Sequence, residues 1–168
     1  MKRGMRFAWF MALACLLGPG SLHAFTAPTL PEALELAGSR RAAFEELLSS
    51  TPAPLRRSAE FLVTHMPATD LAGVDLGMVA TNTALAHEAM ANAPWASRIP
   101  DDIFLNDILP YACVNEAREN WRPRLREIAF PLVKDCTSPG EAARRLNERL
   151  FPLLKVGYNT KRRQIGRA

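Results

Sequence analysis

Beyond its first 24 residues this chain holds two thiols, Cys113 and Cys136, and two imidazoles, His65 and His87. A thiol enzyme needs a Cys within hydrogen-bond reach of a His, and commonly a third group that orients the ring. No catalytic motif surrounds any of the four. His87 sits beside Glu88, and His65 stands just before Met66-Pro67. Zinc would need ligands at spacings such as C-x2-C or H-x3-H. Here the two His are 22 positions apart and the two Cys 23. No catalytic residue, metal site or cofactor is assigned.

The densest polar stretch is IPDDIFLNDILPYACVNEARENWRP, residues 99–123. Asp101, Asp102 and Asp107 could serve acid-base work or hold a cation. Negative charge in the first turn of a helix explains them more simply. Trp95, Tyr111, Asn115, Glu116, Arg118 and Trp121 are the candidate interface residues. Asn115 could cap a helix, with Arg118 or Arg122 one turn from Glu116. A Trp followed by Arg could stack or bury where two surfaces meet.

The chain ends set the broad class. MKRGMRFAWFMALACLLGPGSLHA has a basic head, an apolar run from Phe7 to Leu17, and a Gly-Pro-Gly break before Ala24. That is the layout of a cleaved signal peptide over residues 1–24. Eleven apolar residues are too few for a span that needs roughly 20, so no stable membrane span is expected. The expected location is periplasmic or secreted. Of 21 Lys and Arg residues, three lie in this head and four in the tail 161–168. Fourteen basic residues then face 17 acidic ones over 25–160. The net +4 thus comes from the ends, and no clustered cationic surface points to nucleic acid. Export would let disulfides persist. A Cys113–Cys136 bridge would close a loop of about 23 residues and stabilise by about 3 kcal/mol. Two buried free thiols are the alternative, and the reading preferred here.

The elements around these residues read as helices. Thr29-Leu-Pro-Glu32 and Ser138-Pro-Gly-Glu141 have the form of capping boxes with an early Pro. Phe44, Leu47 and Leu48 fall at helical spacing, as do Leu55, Ala59, Leu62, Val63 and Met66. Leu76, Val79, Thr83, Ala86 and Met90 continue the pattern, followed by Phe104, Leu105, Ile108 and Leu109. Leu125, Ile128, Ala129 and Leu132 mark a later helix that Pro131 should kink or split. Leu146, Leu150 and Leu154 share a face of the last, which Pro152 should kink. Asp70 to Gly77 reads as a loop or short helix. Val156–Thr160 is the one strand candidate. The expected fold is all-α, an irregular array of about five to seven short, proline-punctuated helices. Residues 25–54 form an N-terminal helical segment and linker, 55–160 a helical domain, and 161–168 a basic tail.

Three segments, PWASRIPDDIFLNDILPYACVNEARENWR (94–122), FPLVKDCTSPGEAARRLNERLF (130–151) and VGYNTKRR (156–163), taken in order, carry a family resemblance. They resemble the helical region preceding the catalytic core of exported bacterial transglutaminase-like proteins. The resemblance spans roughly residues 55–163 and is firmest from Pro94 to Arg163. It implies a papain-like Cys-His-Asp core lying downstream, where a His-activated thiolate attacks a glutamine or peptide carbonyl. No position of this chain matches that triad, so Cys113 and Cys136 inherit no nucleophile role. The sequence after Arg163 departs from the family's continuation. The expectation is therefore a non-catalytic accessory domain, a truncated or frameshifted product whose partner is such a core or another protein. The alternative is a self-sufficient exported helical binding module.

Overall fold

The computed structural model describes residues 27–113 and 116–155. Among these the chain is all-α. The order is α1 (Leu30–Leu36), a 3-10 turn (Gly38–Arg40), α2 (Arg41–Ser50), α3 (Ala53–Thr64), α4 (Ala68–Gly73) and α5 (Leu76–Asn92). A 3-10 turn (Ala96–Arg98), α6 (Asp101–Ile103), a π turn (Phe104–Ile108), α7 (Trp121–Val133) and α8 (Pro139–Leu154) follow. That is eight α-helical segments, above the expected five to seven. The short α4 and the three-residue α6 are the ones periodicity cannot resolve, because neither completes two turns.

Local chemistry starts and stops these helices. The Glu32 carboxylate accepts from the Thr29 amide and hydroxyl, both at 2.7 Å, which fixes the start of α1. Gly38 has φ +56°, a left-handed value that only Gly adopts without cost, and it lets α1 turn directly into α2. Pro52 ends the chain's run from α2, and Asp75 caps α5 by accepting from the Gly77 amide at 2.8 Å. Ser138 Oγ accepts from the Glu141 amide at 3.3 Å at the start of α8. The Glu141 carboxylate reaches the Thr137 amide at 3.2 Å, one residue earlier than in the usual reciprocal box.

The apolar faces of α1 to α5 and of residues 104–111 close on one core. Ala33, Phe44, Val63, Val79, Ala86 and Leu109 are fully shielded within it. α3 packs against α1, α2 and α5. Residues on both sides of Leu55 share this core, so that position separates no two cores. Pro131 and Pro152 do not break α7 or α8, which run through them to Val133 and Leu154. Both prolines lie in the last turns, where few hydrogen bonds remain to be lost. α7 and α8 form a helical hairpin across residues 134–138, and α7 leans on α5. The strand candidate 156–160, the signal segment 1–24 and the tail 161–168 lie outside the described residues. No helix among the described residues is long and apolar enough to cross a membrane.

Candidate functional site

Residues 105–122 join the two parts of the molecule through a polar network around Asp70. Asp70 stands in the first turn of α4 and is 5% exposed. Its carboxylate accepts from the Tyr111 hydroxyl at 2.7 Å and from Arg118 Nε at 2.8 Å and 3.1 Å. Burial, and then the neighbouring Asp70 carboxylate, push the Tyr111 phenol well above its ordinary pKa. Its own hydrogen bond to Asp70 holds Arg118 more firmly protonated. On the other side of α4, Arg40 donates to the Leu71 and Val74 carbonyls at 3.0 and 2.5 Å. A cation there suits the negative end of a helix.

A second set of donors holds the backbone between the π turn and α7. Its four carbonyls, from Ile108 to Tyr111, cannot be satisfied helically because Pro110 ends the turn. Arg122 Nη2 donates to the Ile108 and Pro110 carbonyls at 2.8 and 3.0 Å. The buried Asn82 Nδ2 donates to the Leu109 carbonyl at 2.6 Å, and Arg122 Nε donates to Asn82 Oδ1 at 2.6 Å. Trp121 Nε1 donates to the Tyr111 carbonyl at 2.9 Å. The Arg122 guanidinium lies 4.9 Å from the Trp121 ring centre, a cation–π distance. Desolvation by burial lowers the Arg122 pKa.

Beside this network a cavity of about 400 Å³ opens between the end of α3 and residues 105–112. Phe61, Met66, Leu105 and Tyr111 form apolar walls, with Asp70 and Arg118 at one end. His65 stacks on Phe61 with ring centres 4.0 Å apart. Its Nδ1 lies 2.8 Å from the Phe61 carbonyl, so that nitrogen carries the proton. No Ser or Cys lines the cavity, and both Asp70 oxygens are engaged. Its described lining thus holds an imidazole, His65, but no Ser or Cys nucleophile.

A Ser-His pair that sequence reading overlooked lies elsewhere. Ser58 Oγ and His87 Nε2 are 2.8 Å apart, and the His87 ring meets Phe104 edge-on at 4.9 Å. Burial lowers the His87 pKa. Ser58 is 4% exposed, so its hydroxyl has no route to a substrate and serves to join α3 to α5.

The expected site residues separate into different environments. Cys113 is exposed and Cys136 buried, and both thiols are free. The candidate bridge is thus not formed, and only one of the two thiols is buried. Neither sulfur hydrogen-bonds to an imidazole among the described residues. Asp101 pairs with Arg57 at 2.5 Å, while Asp102 and Asp107 are exposed. No group of three His, Cys, Asp or Glu with metal-binding proximity occurs among the described residues. The interface set needs revision. Tyr111 and Arg118 serve the internal network, because a buried carboxylate needs paired donors. Trp95 is half-buried at the turn before Ala96. Glu116 is exposed, accepting from the Cys113 amide at 3.0 Å. Asn115 lies outside the described residues. Asn120, not Asn115, precedes α7, and residues 116–120 are irregular, so the Glu116–Arg118 relation is not a helical turn: Arg118 donates to the Glu116 carbonyl.

Trp121, 37% exposed, is the one member of the set on the hairpin. Phe151 and Leu153 are 49% and 57% exposed. None of the 13 residues of α7 is buried, although it carries Leu125, Ile128, Phe130, Leu132 and Val133. Phe151 and Leu153 had a sequence signal: LFPLL places four apolar residues in five, more than one helical face can shield. The chain matches no family model, no curated protein and no solved structure.

Proposed function

We propose that this chain is a non-catalytic helical accessory domain that docks to a protein partner through the α7–α8 hairpin. The observation carrying this reading is the exposure of Trp121, Phe151 and Leu153 on that hairpin, where the other apolar side chains of α7 stay half-buried. Three of the five exposed large apolar side chains lie on the hairpin, the others being Leu36 and Ile103, and grouped ones mark interaction sites more than scattered ones do. The resemblance of residues 94–163 makes the partner a transglutaminase-like Cys-His-Asp core, met outside the cytoplasm after export. The domain would then brace that core or border its substrate cleft. The engaged Asp70 and the enclosed Ser58 support a role without chemistry of its own.

Photocrosslinking in the cells that make the protein tests this. Benzoylphenylalanine in place of Phe151 should trap a Cys-His-Asp enzyme, identified by mass spectrometry. The same probe in place of exposed Glu46 on α2 should not. No adduct at position 151, or one adduct shared by both positions, overturns the docking reading. The second reading is a self-sufficient binding module. It is favoured by the closed core of residues 30–111, where no buried side-chain polar atom lacks a partner. An adduct at 151 with a protein of another kind would select it.

A further inference from the structure

We infer that the occupant of the hairpin is an acidic amphipathic helix, a conclusion that rests on the docking reading and adds the partner's chemistry. The charges of this chain are segregated. Residues 27–113 carry 5 Lys and Arg against 11 Asp and Glu, whereas residues 121–155 carry 8 against 4. Arg126–Glu88 ties the two regions together, and Arg118–Asp70 binds the connecting segment to the bundle. On α8, Arg144 takes Glu148 and Arg145 takes Glu141. Besides Lys134 in the connection, Arg124, Arg149 and Lys155 have no carboxylate partner among the described residues; Arg122 is engaged internally by Asn82 and the Ile108 and Pro110 carbonyls, and Glu127 is the remaining acid on α7.

By position along the hairpin, Arg124, Arg149 and Lys155 and the exposed apolar residues share one end. Arg145 Nη1 and the Leu132 carbonyl, 3.5 Å apart, set the hairpin register. The first turn of α7, with Trp121, Arg122 and Arg124, therefore lies alongside the last turns of α8, with Arg149, Phe151, Leu153 and Lys155. Two antiparallel helices offer a groove that a third completes into a bundle, its apolar stripe between α7 and α8. Acidic residues flanking that stripe would meet the unpaired cations, which sets specificity and association rate.

Charge disfavours two of the occupants this chain could supply, and the self-association arm of the test below decides the third, the acidic bundle of a second copy. Pairing two copies hairpin to hairpin would oppose two surfaces of the same sign. The chain's own ends carry Lys2, Arg3 and Arg6, and Lys161, Arg162, Arg163 and Arg167, again the same sign.

The test uses the full chain and two synthetic helices, each with Leu at i, i+3, i+4 and i+7. One carries Glu at the remaining positions and the other Lys. The Glu helix should bind, weaken with added salt, and bind at least about tenfold more tightly than the Lys helix, a difference of about 1.4 kcal/mol. Phe151→Asp with Leu153→Asp should abolish binding. Arg124→Glu with Arg149→Glu should reverse the preference, and circular dichroism should show both variants folded. Equal binding of the two helices, binding of neither, or no reversal overturns the inference. So does equally tight binding to phosphatidylglycerol vesicles, or self-association lost in the Phe151→Asp, Leu153→Asp variant. A partner crosslinked at position 151 through a basic or neutral surface would also sink it while leaving the docking reading intact.

Discussion

The bundle of residues 30–111 and the hairpin of 121–154 are both mostly helical, yet only the first has an extended apolar core; Cys136 and Ala142 are the buried residues of the second. In the bundle, helices meet on several sides, so Phe44 and Val63 lose all contact with water. Five polar residues follow them inside, and each finds a partner. Thr51 and Thr83 donate to carbonyls four residues back at 2.6 and 2.8 Å; Ser58, Asp70 and Asn82 bridge to other elements. The hairpin has one principal contact per helix face, and of α8 only Ala142 is buried. Helical periodicity supplies an apolar face; the number of neighbours decides whether that face becomes a core.

Substitution at Phe44 should separate the two regions most sharply. Phe44→Ala removes a fully buried ring and is expected to cost about 3–5 kcal/mol in denaturant unfolding. A cost below about 1 kcal/mol would mean that the bundle interior is not tightly packed. Asn82→Leu comes next, because Asn82 couples the regions through the Leu109 carbonyl and Arg122. It should cost about 2 kcal/mol by leaving the Leu109 carbonyl and Arg122 Nε without their Asn82 partner, and amide exchange should rise in α7 as well as α5. Exchange raised in α5 alone would show that the hairpin docks without this link.

A smaller effect should appear as acid sensitivity of the bundle. Burial lowers the His87 pKa below its ordinary 6.5, so the unfolded chain takes up the proton first. Stability from neutral His87 is present above pH 6.5 and declines as pH falls below it. Glu32 and Glu141, whose pKa values are lowered from 4.5 by hydrogen bonds to backbone amides, withdraw support only below that value. Urea midpoints between pH 7 and 5 should therefore flatten in His87→Gln; an unchanged slope would assign the decline to other groups. Smallest of all, Phe151→Asp should alter stability by no more than about 0.5 kcal/mol. A loss above 2 kcal/mol would show that Phe151 is shielded within the chain, and that the hairpin surface is already covered.

The segments whose signal is local were legible. Phe44, Leu47 and Leu48, and Val79, Thr83 and Ala86, are all buried at the spacing their positions imply. Ser138 and Glu141 mark the start of α8 because a cap involves residues within one turn. Asp70 was not legible, since an Asp in a short segment reads as surface. Its partners Tyr111 and Arg118 are 41 and 48 positions away. A separation of 29 positions likewise hid Ser58 from His87. Tyr111 and Arg118 read as interface residues from composition, but a buried carboxylate claims them.

Periodicity, prolines and caps, all visible in the order of residues, determined that this protein is helical and where most of its helices begin and end. Those interactions span three or four positions, so the sequence alone fixes them. Tertiary structure decided which polar groups became internal links, which thiol was shielded, and which apolar face stayed open on the hairpin. Each of these outcomes depends on how many neighbours arrive from distant parts of the chain, a quantity that no window of sequence contains.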